Sequence, residues 1–411
     1  MTRAEIDLGI SRITQLLHAL GNPHQSSFKV IHIAGTNGKG SVSAYISSIL
    51  SLKHVVGTFN SPHLIELRDS IKINGETVDV DLWLHARGLV DSKDSFNCTC
   101  FERLVATAFV IFQAARCQWV VVECGMGGLL DATNVSYGNQ KALNVITSIS
   151  LDHCNYLGNS VEEIAAHKAG IINSSCPTVI SCQQYASVVD IISKRSHKYG
   201  SPLYIAEPCS KFDETKVCKA GIRFRLPLNG CFQMINAATA IDSVLTLELA
   251  YKIGITNDCI KTGIEATKWP GRMEYIKLAC GLNCIVDGAH NSDSIKALSC
   301  HIQQNYSSCK ILWIIAFSGQ KDFQAFLEIL LAGRKNDPVR FTEFSQPEEM
   351  EWIHAASPKY LESLVTDYST ECYSSIKEAM INIPDVDLVV ICGSLYLVSD
   401  FYRLFNNKPS L

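Results

Sequence analysis

The stretch Val30-Ile31-His32-Ile33-Ala34-Gly35-Thr36-Asn37-Gly38-Lys39-Gly40-Ser41 decides the fold. Val30–Ala34 is a short, mostly apolar run of the kind a buried strand needs. Glycines at positions 35, 38 and 40 then break regular structure, and a helix is expected from Ser41 to about Ser51. In a strand, glycine loop and helix, successive backbone N–H groups can curl around phosphate oxygens. The helix N-terminus adds partial positive charge. Lys39 is spaced to reach the β- and γ-phosphates of a nucleotide, and the Ser41 hydroxyl to bind Mg²⁺. The strict Gly-x₄-Gly-Lys-Ser/Thr pattern is not met. Gly40 separates Lys39 from Ser41, and Ile33 stands where the first glycine belongs.

Working outward, apolar runs keep alternating with helical periodicity. Thr99 and Glu102 form a capping box. The helix it opens carries apolar residues at Phe101, Leu104, Val105, Ala108, Phe109 and Phe112. Strand Trp119–Val122, a glycine cluster and strand Val145–Leu151 follow. Ser160 and Glu163 cap a further helix bearing Lys168. Strand, crossover helix and strand predict an α/β fold with a parallel sheet covered on both faces. The pattern restarts near Ile276, with strands at Cys284–Val286, Ile311–Ala316, Val339–Phe344 and Leu388–Ile391. Helices are expected near Phe323–Leu331 and over Leu395–Leu404. The segment Tyr204–Leu228 is irregular and hairpin-like. Two domains are expected, 1–270 and a smaller α/β unit 271–411, joined near Trp269-Pro270-Gly271-Arg272.

Composition narrows the possibilities. The chain has 411 residues, 47% hydrophobic and 18% charged, with a net charge of −4, so a large core is available. Intrinsic disorder is excluded, and a protein built mainly to grip nucleic acid would carry a basic excess. The 17 cysteines include no Cys-x-x-Cys pair. The nearest spacings, Cys98-x-Cys100 and Cys280-x₃-Cys284, are not zinc patterns, and free thiols of a reducing compartment are expected. No apolar run approaches the ~18 residues of a membrane span. The N-terminal MTRAEIDLGI has acids at Glu5 and Asp7 and no targeting character. A cytoplasmic monomer without nucleic-acid or membrane partners is the expectation.

The chemistry concentrates at strand ends. Trp119–Val122 leads into Glu123, and Asp152 and His153 follow the next strand. In an open parallel sheet, ligands lie outside the carboxyl ends of the strands. An acid beside a phosphate loop is suited to hold a cation or orient water.

Seven pieces occur in order: Gly35–Ser41, Ser61-Pro62-His63-Leu64, ECGMGGLLDATN at 123–134, Leu151-Asp152-His153, KAGI at 168–171, Trp269–Arg272 and Asp287–Asn291. Together they resemble the folylpolyglutamate synthase / dihydrofolate synthase branch of the Mur ligase superfamily, from Ile6 almost to the C-terminus. The resemblance implies an N-terminal P-loop ATPase domain and a C-terminal Rossmann-like domain. It also implies use of ATP and Mg²⁺ to join a carboxylate to the amino group of glutamate.

The resemblance further implies roles, position by position. Thr36, Asn37, Gly38, Lys39, Gly40 and Ser41 hold the triphosphate. Ser41, Ser61 and Glu123 ligate a first Mg²⁺, and His153 a second. Lys168 matches a lysine that can carry a carbamate. Asn236 matches an adenine-contacting position, and Arg272, Asp287 and His290 match nucleotide and catalytic-cleft residues. Lys39, Lys168, Asp287 and His290 are the expected catalytic set. The resemblance places Lys39, Ser41, Glu123, His153 and Lys168 around one magnesium–triphosphate cluster.

Two acceptors occur in that branch: dihydropteroate, which receives the first glutamate, and folates whose glutamate chain is extended. Where the family commonly shows Glu-Arg-Ile, this chain has Asp69-Ser70-Ile71 and lacks the cation. That segment, MEWIHA at 350–355 and VICGSLY at 390–396 resemble fungal dihydrofolate synthases, so dihydropteroate and L-glutamate are the expected substrates. Leu130 and His167 replace the Arg and Glu usual in the family. A nucleotide-dependent switch is the competing class, but no Asn-Lys-x-Asp-like guanine motif is present.

Overall fold

A computed structural model describes residues 7–319 and 321–406, so Ile6 at the start of the family resemblance lies outside the described residues. The chain divides into two compact units. The first comprises the chain up to His63 together with Arg68–Pro227 and Phe232–Lys268. The second comprises Leu64–Leu67, Leu228–Cys231 and the chain from Trp269 onward.

The first unit is built on strands β1 (Lys29–Ala34), β2 (Val56–Phe59), β3 (Ile71–Ile73), β4 (Glu76–Thr77), β5 (Trp119–Glu123), β6 (Lys141–Ile146), β7 (Thr178–Ser181) and β8 (Leu203–Ala206). Their order across the sheet is β4-β3-β2-β5-β1-β6-β7-β8. From β2 to β8 every neighbour is parallel, and β3 and β4 add an antiparallel margin. Residues 30–34 of β1 are wholly buried, as a strand covered on both faces must be. Helix Cys100–Ala114 starts with the Thr99/Glu102 capping box, and Val161–Ala169 with that of Ser160/Glu163.

The strand expected at Val145–Leu151 instead spans Lys141–Ile146. Lys141 belongs to it because its ammonium, though buried, donates to the Ile171 carbonyl and to Asn173 Oδ1. Beyond Ile146 the backbone leaves the sheet. Ser148 O instead accepts from the Thr36 and Asn37 amides, and Leu151 is exposed. The segment Tyr204–Leu228 resolves into the end of β8 and an antiparallel ribbon of β9 (Ser210–Lys211), β10 (Val217–Lys219) and β11 (Ile222–Phe224).

The second unit carries β12 (Glu274–Lys277), β13 (Asn283–Val286), β14 (Ile311–Ile315), β15 (Val339–Phe341), β16 (Thr370–Cys372) and β17 (Leu388–Cys392). Their order is β12-β13-β17-β14-β15-β16, all parallel except the margin strand β12. β15 ends at Phe341 rather than Phe344, and its last bond to β14 is that of the Thr342 amide to Ile315 O. Val286, Leu312, Ile314, Val389 and Ile391 form its core with Val398 and Phe401 of helix Leu395–Asn406. All 17 cysteines are free. No helix among the described residues is long and apolar enough to cross a membrane.

Candidate active site

The glycine loop follows β1 and opens helix Lys39–Leu50. Two of its glycines are required sterically. A Cβ on Gly35 would fall 1.8 Å from Thr147 Oγ1, and one on Gly38, whose φ is +91°, would fall 2.4 Å from Asn236 Oδ1. The loop is held from the side by the segment after β6. Thr36 Oγ1 donates to Ser150 O at 3.1 Å, and Asn37 Nδ2 to Ser150 Oγ at 3.4 Å. Lys39 Nζ lies 3.2 Å from Thr36 O and 3.8 Å from Glu123 Oε1.

Glu123 is the last residue of β5 and is buried. Its Oε2 accepts from Asn60 Nδ2 at 2.8 Å. The Asn60 Oδ1 and Ser61 Oγ atoms are buried and have no hydrogen-bond partner among the described residues. A carboxylate and two unsatisfied oxygens suit a hard cation that also takes phosphate oxygens and water.

Lys168 reaches the same loop from below. Its ammonium is buried and donates to the Gly35 carbonyl at 2.6 Å. Burial, and then the positive charge of Lys39, bring its pKa down to about 7. The glycine cluster after β5 explains how this helix is seated. A Cβ on Gly128 would meet the Lys168 carbonyl oxygen at 2.8 Å, and one on Gly170 would meet the Leu129 Cβ at 2.4 Å. Asn134 Nδ2 donates to both Leu129 O and Gly170 O. Asp131, whose carboxyl is pushed up by burial, accepts from the Met126 and Thr133 amides. Within 123–134, then, Glu123 faces the phosphate loop, Asp131 ties the segment's own backbone, and Gly128 and Asn134 clamp the lysine helix. Leu130, the departure from the family, is exposed.

Helix Gln233–Tyr251 closes another side. Asn236 Nδ2 donates to Gln233 Oε1 at 3.0 Å, and Gln233 Nε2 to Ser41 Oγ at 3.3 Å. Asn60 and Gln233 were not among the candidates from sequence. Asn60 precedes the Ser61–Leu64 motif and Gln233 lies three residues before Asn236, but nothing in composition or spacing distinguishes them from ordinary polar residues.

Thr36, Asn37, Gly38, Lys39, Ser41, Glu123, Lys168 and Asn236 are therefore linked by contacts through one neighbourhood, and Ser61 follows Asn60 in chain. His153 opens the short helix Cys154–Leu157 in a left-handed conformation, its Nε2 3.9 Å from Asp152 Oδ2. Among the described residues, no three His, Cys, Asp or Glu side chains gather as a metal cluster.

In the second unit the loop after β13 carries Asp287, Gly288, Ala289 and His290. Asp287 is buried, which pushes its carboxyl pKa up. Its oxygens accept from the Met273 and Ala289 amides at 2.6 and 2.7 Å. A Cβ on Gly288 would lie 2.4 Å from Arg272 Nη1, so that glycine makes room for the guanidinium. His290 Nδ1 donates to the Gly288 carbonyl at 2.7 Å, which fixes the orientation of the ring.

Residues 33–244 match the Mur ligase middle domain, and residues 276–404 match the dihydrofolate synthetase C-terminal domain. The chain belongs to the folylpolyglutamate synthase and dihydrofolate synthase family of Mur ligases. A dihydrofolate synthetase of Saccharomyces cerevisiae is 36% identical, covering 98% of this chain and 99% of the relative. A probable dihydrofolate synthetase of Schizosaccharomyces pombe is 34% identical over 97% and 98%. A probable folylpolyglutamate synthase of S. cerevisiae is 25% identical over 97% of each. Among solved structures, E. coli FolC in complex with DHPP and ADP superposes with a TM-score of 0.85 at 25% identity, over 99% of this chain and 95% of that one. The bifunctional Yersinia pestis enzyme complexed with AMPPNP and a Mn ion gives 0.82 at 25%, over 99% and 95%. The two-domain α/β architecture of this Mur ligase family member is thus shared over nearly its whole length.

Proposed function

We propose that this Mur ligase family member is a dihydrofolate synthase that uses ATP and a divalent cation to join L-glutamate to dihydropteroate. One comparison carries the choice of acceptor. Of two S. cerevisiae relatives covered to similar extent, the dihydrofolate synthetase is 36% identical and the probable folylpolyglutamate synthase 25%. Ser70 is consistent with it. The residue is buried, so this position supplies no cation for the longer, more anionic polyglutamate acceptor.

The reaction needs an activated carboxylate, because oxide is a poor leaving group. The dihydropteroate carboxylate attacks the γ-phosphorus of ATP, ADP leaves, and an acyl phosphate forms. The glutamate amine then attacks the acyl carbon, expels phosphate and loses a proton. Phosphoryl transfer demands mainly positioning and charge stabilisation. Thr36 to Ser41 supply backbone amides, a helix N-terminus and the Lys39 ammonium for the triphosphate. Asn236, packed on Gly38, serves the adenine side. Ser41, Ser61 and Glu123 would hold one cation, and His153 a second; bound there, cations offset phosphate charge. Arg272 and Asp287 are proposed to serve the nucleotide, and His290 the transfer chemistry.

Lys168 is proposed to carry a carbamate. Its lowered pKa keeps a fraction of the amine neutral and nucleophilic near pH 7. The anionic product would suit a cation site better than an ammonium beside Lys39.

The test is glutamate incorporation by the purified protein, with radiolabelled L-glutamate and either dihydropteroate or tetrahydrofolate. Incorporation with dihydropteroate is expected. Incorporation with tetrahydrofolate alone would replace this reading with the chain-extending activity.

A further inference from the structure

Asn60 directly follows β2, and its placement comes from strand register. β2 and β5 run parallel with Phe59 opposite Val122, so the next residues, Asn60 and Glu123, stand side by side at the sheet's edge. Asn60 Nδ2 donates to Glu123 Oε2 at 2.8 Å. The Lys39 ammonium lies 3.8 Å from its other oxygen, and a carboxylate paired with a cation only accepts hydrogen bonds. The amide must therefore turn its NH₂ toward Glu123 and its oxygen away, so the assignment of the two amide atoms follows from chemistry. The main chain is fixed as well, since the Asn60 amide donates to Ser70 O at 2.9 Å.

What remains is Oδ1. Asn60 is only 5% exposed, and Oδ1 is buried without a hydrogen-bond donor. One residue on, Ser61 Oγ is in the same condition. Buried acceptors without donors are rare in native proteins and call for an explanation. Here two occur in consecutive residues beside a buried carboxylate. The missing partner of Oδ1 must be a hydrogen donor small enough for the space next to Glu123. Waters on a hard divalent cation meet that description, because Mg²⁺ sheds water reluctantly and usually keeps several.

Resting on the ligase reading above, we propose that Asn60 is a positioning residue of the cation site. Its NH₂ holds Glu123 in the orientation that ligates, and its carbonyl oxygen takes a hydrogen bond from a cation-bound water. Both halves of the amide are used. An aspartate would set a second negative charge against Glu123, and a leucine would remove donor and acceptor together.

The experiment measures cation binding without turnover. Full-length protein with ADP is titrated with Mn²⁺, and free Mn²⁺ is followed by electron paramagnetic resonance. Asn60→Leu, close in size, should bind Mn²⁺ about 10–100-fold more weakly, while ADP affinity without metal stays unchanged. Unaltered Mn²⁺ affinity in that variant, whatever its melting temperature, overturns the proposal. Should the variant fail to fold, a crystal structure of the wild type with ADP and Mn²⁺ decides. A metal-bound water on Asn60 Oδ1 supports the proposal, and its absence overturns it. Failure of the wild type to bind Mn²⁺ with ADP present would instead remove the ligase reading on which the proposal rests.

Discussion

Lys168 Nζ donates a hydrogen bond to the Gly35 carbonyl oxygen at 2.6 Å, joining residues 133 positions apart. The contact brings the helix Val161–Ala169 to the underside of the phosphate loop and places an amine in a closed environment. Burial and the positive charge of Lys39 disfavour the ammonium more than the carboxylates of Asp152 and Asp131 favour it.

That environment has a consequence for stability. The Lys168 pKa falls from 10.5 to about 7 on folding. Between those values the unfolded chain binds a proton that the folded chain lacks, so this group makes stability rise with pH across the interval. Lys168→Met removes the effect. The stability of the variant relative to the wild type should be greatest below pH 7 and shrink as pH climbs toward 10.5. Urea unfolding at several pH values measures it, and a difference that stays flat or widens with pH counts against the assignment.

The Lys39 ammonium lies 3.8 Å from the carboxylate of Glu123 at the end of β5. Lys39→Ala should lower kcat/KM for ATP by about 10²–10³-fold, the usual cost of losing one preorganised charge. Steady-state kinetics in both ATP and acceptor measure this. A drop below tenfold would show that Lys39 is not at the transferring phosphate.

Gly38→Ala introduces a Cβ 2.4 Å from Asn236 Oδ1, at a φ of +91°. The backbone conformation alone costs about 1–2 kcal/mol, and the clash must displace either the loop or Asn236. ADP binding by calorimetry should weaken sharply. Wild-type affinity would mean that the Gly38–Asn236 contact does not shape the nucleotide site.

Asn134 ties the glycine cluster to the end of the lysine helix through Leu129 O and Gly170 O. Asn134→Ala leaves those buried acceptors one donor short, a loss of ~1–3 kcal/mol. Chemical denaturation should show it, with a fall in kcat as Lys168 loses its seat. An unchanged denaturation midpoint would show that the clamp is dispensable.

The alternation of strand and helix was legible because it is a local property. Val30–Ala34, Trp119–Val122 and Leu388–Ile391 are apolar runs of strand length, and the boxes at Thr99/Glu102 and Ser160/Glu163 announce their helices. The β6 boundaries were not legible. The Lys141 side chain finds its acceptors at Ile171 and Asn173, and the Ser148 carbonyl accepts from the amides of a loop more than 100 residues earlier. Short-range periodicity carries no trace of such partners.

The alternation of strands and helices and the family of this chain were thus written in its sequence, because each depends on neighbours in the chain or on ordered motifs. Which side chains stand together was decided by tertiary structure alone. Glu123 meets Asn60 because β2 and β5 share a register, and Lys168 meets Gly35 because Gly128, Asn134 and Gly170 let one helix approach one loop. Those contacts require chain segments far apart to close-pack, and packing is a property of the whole sheet and its covering helices rather than of any stretch of it.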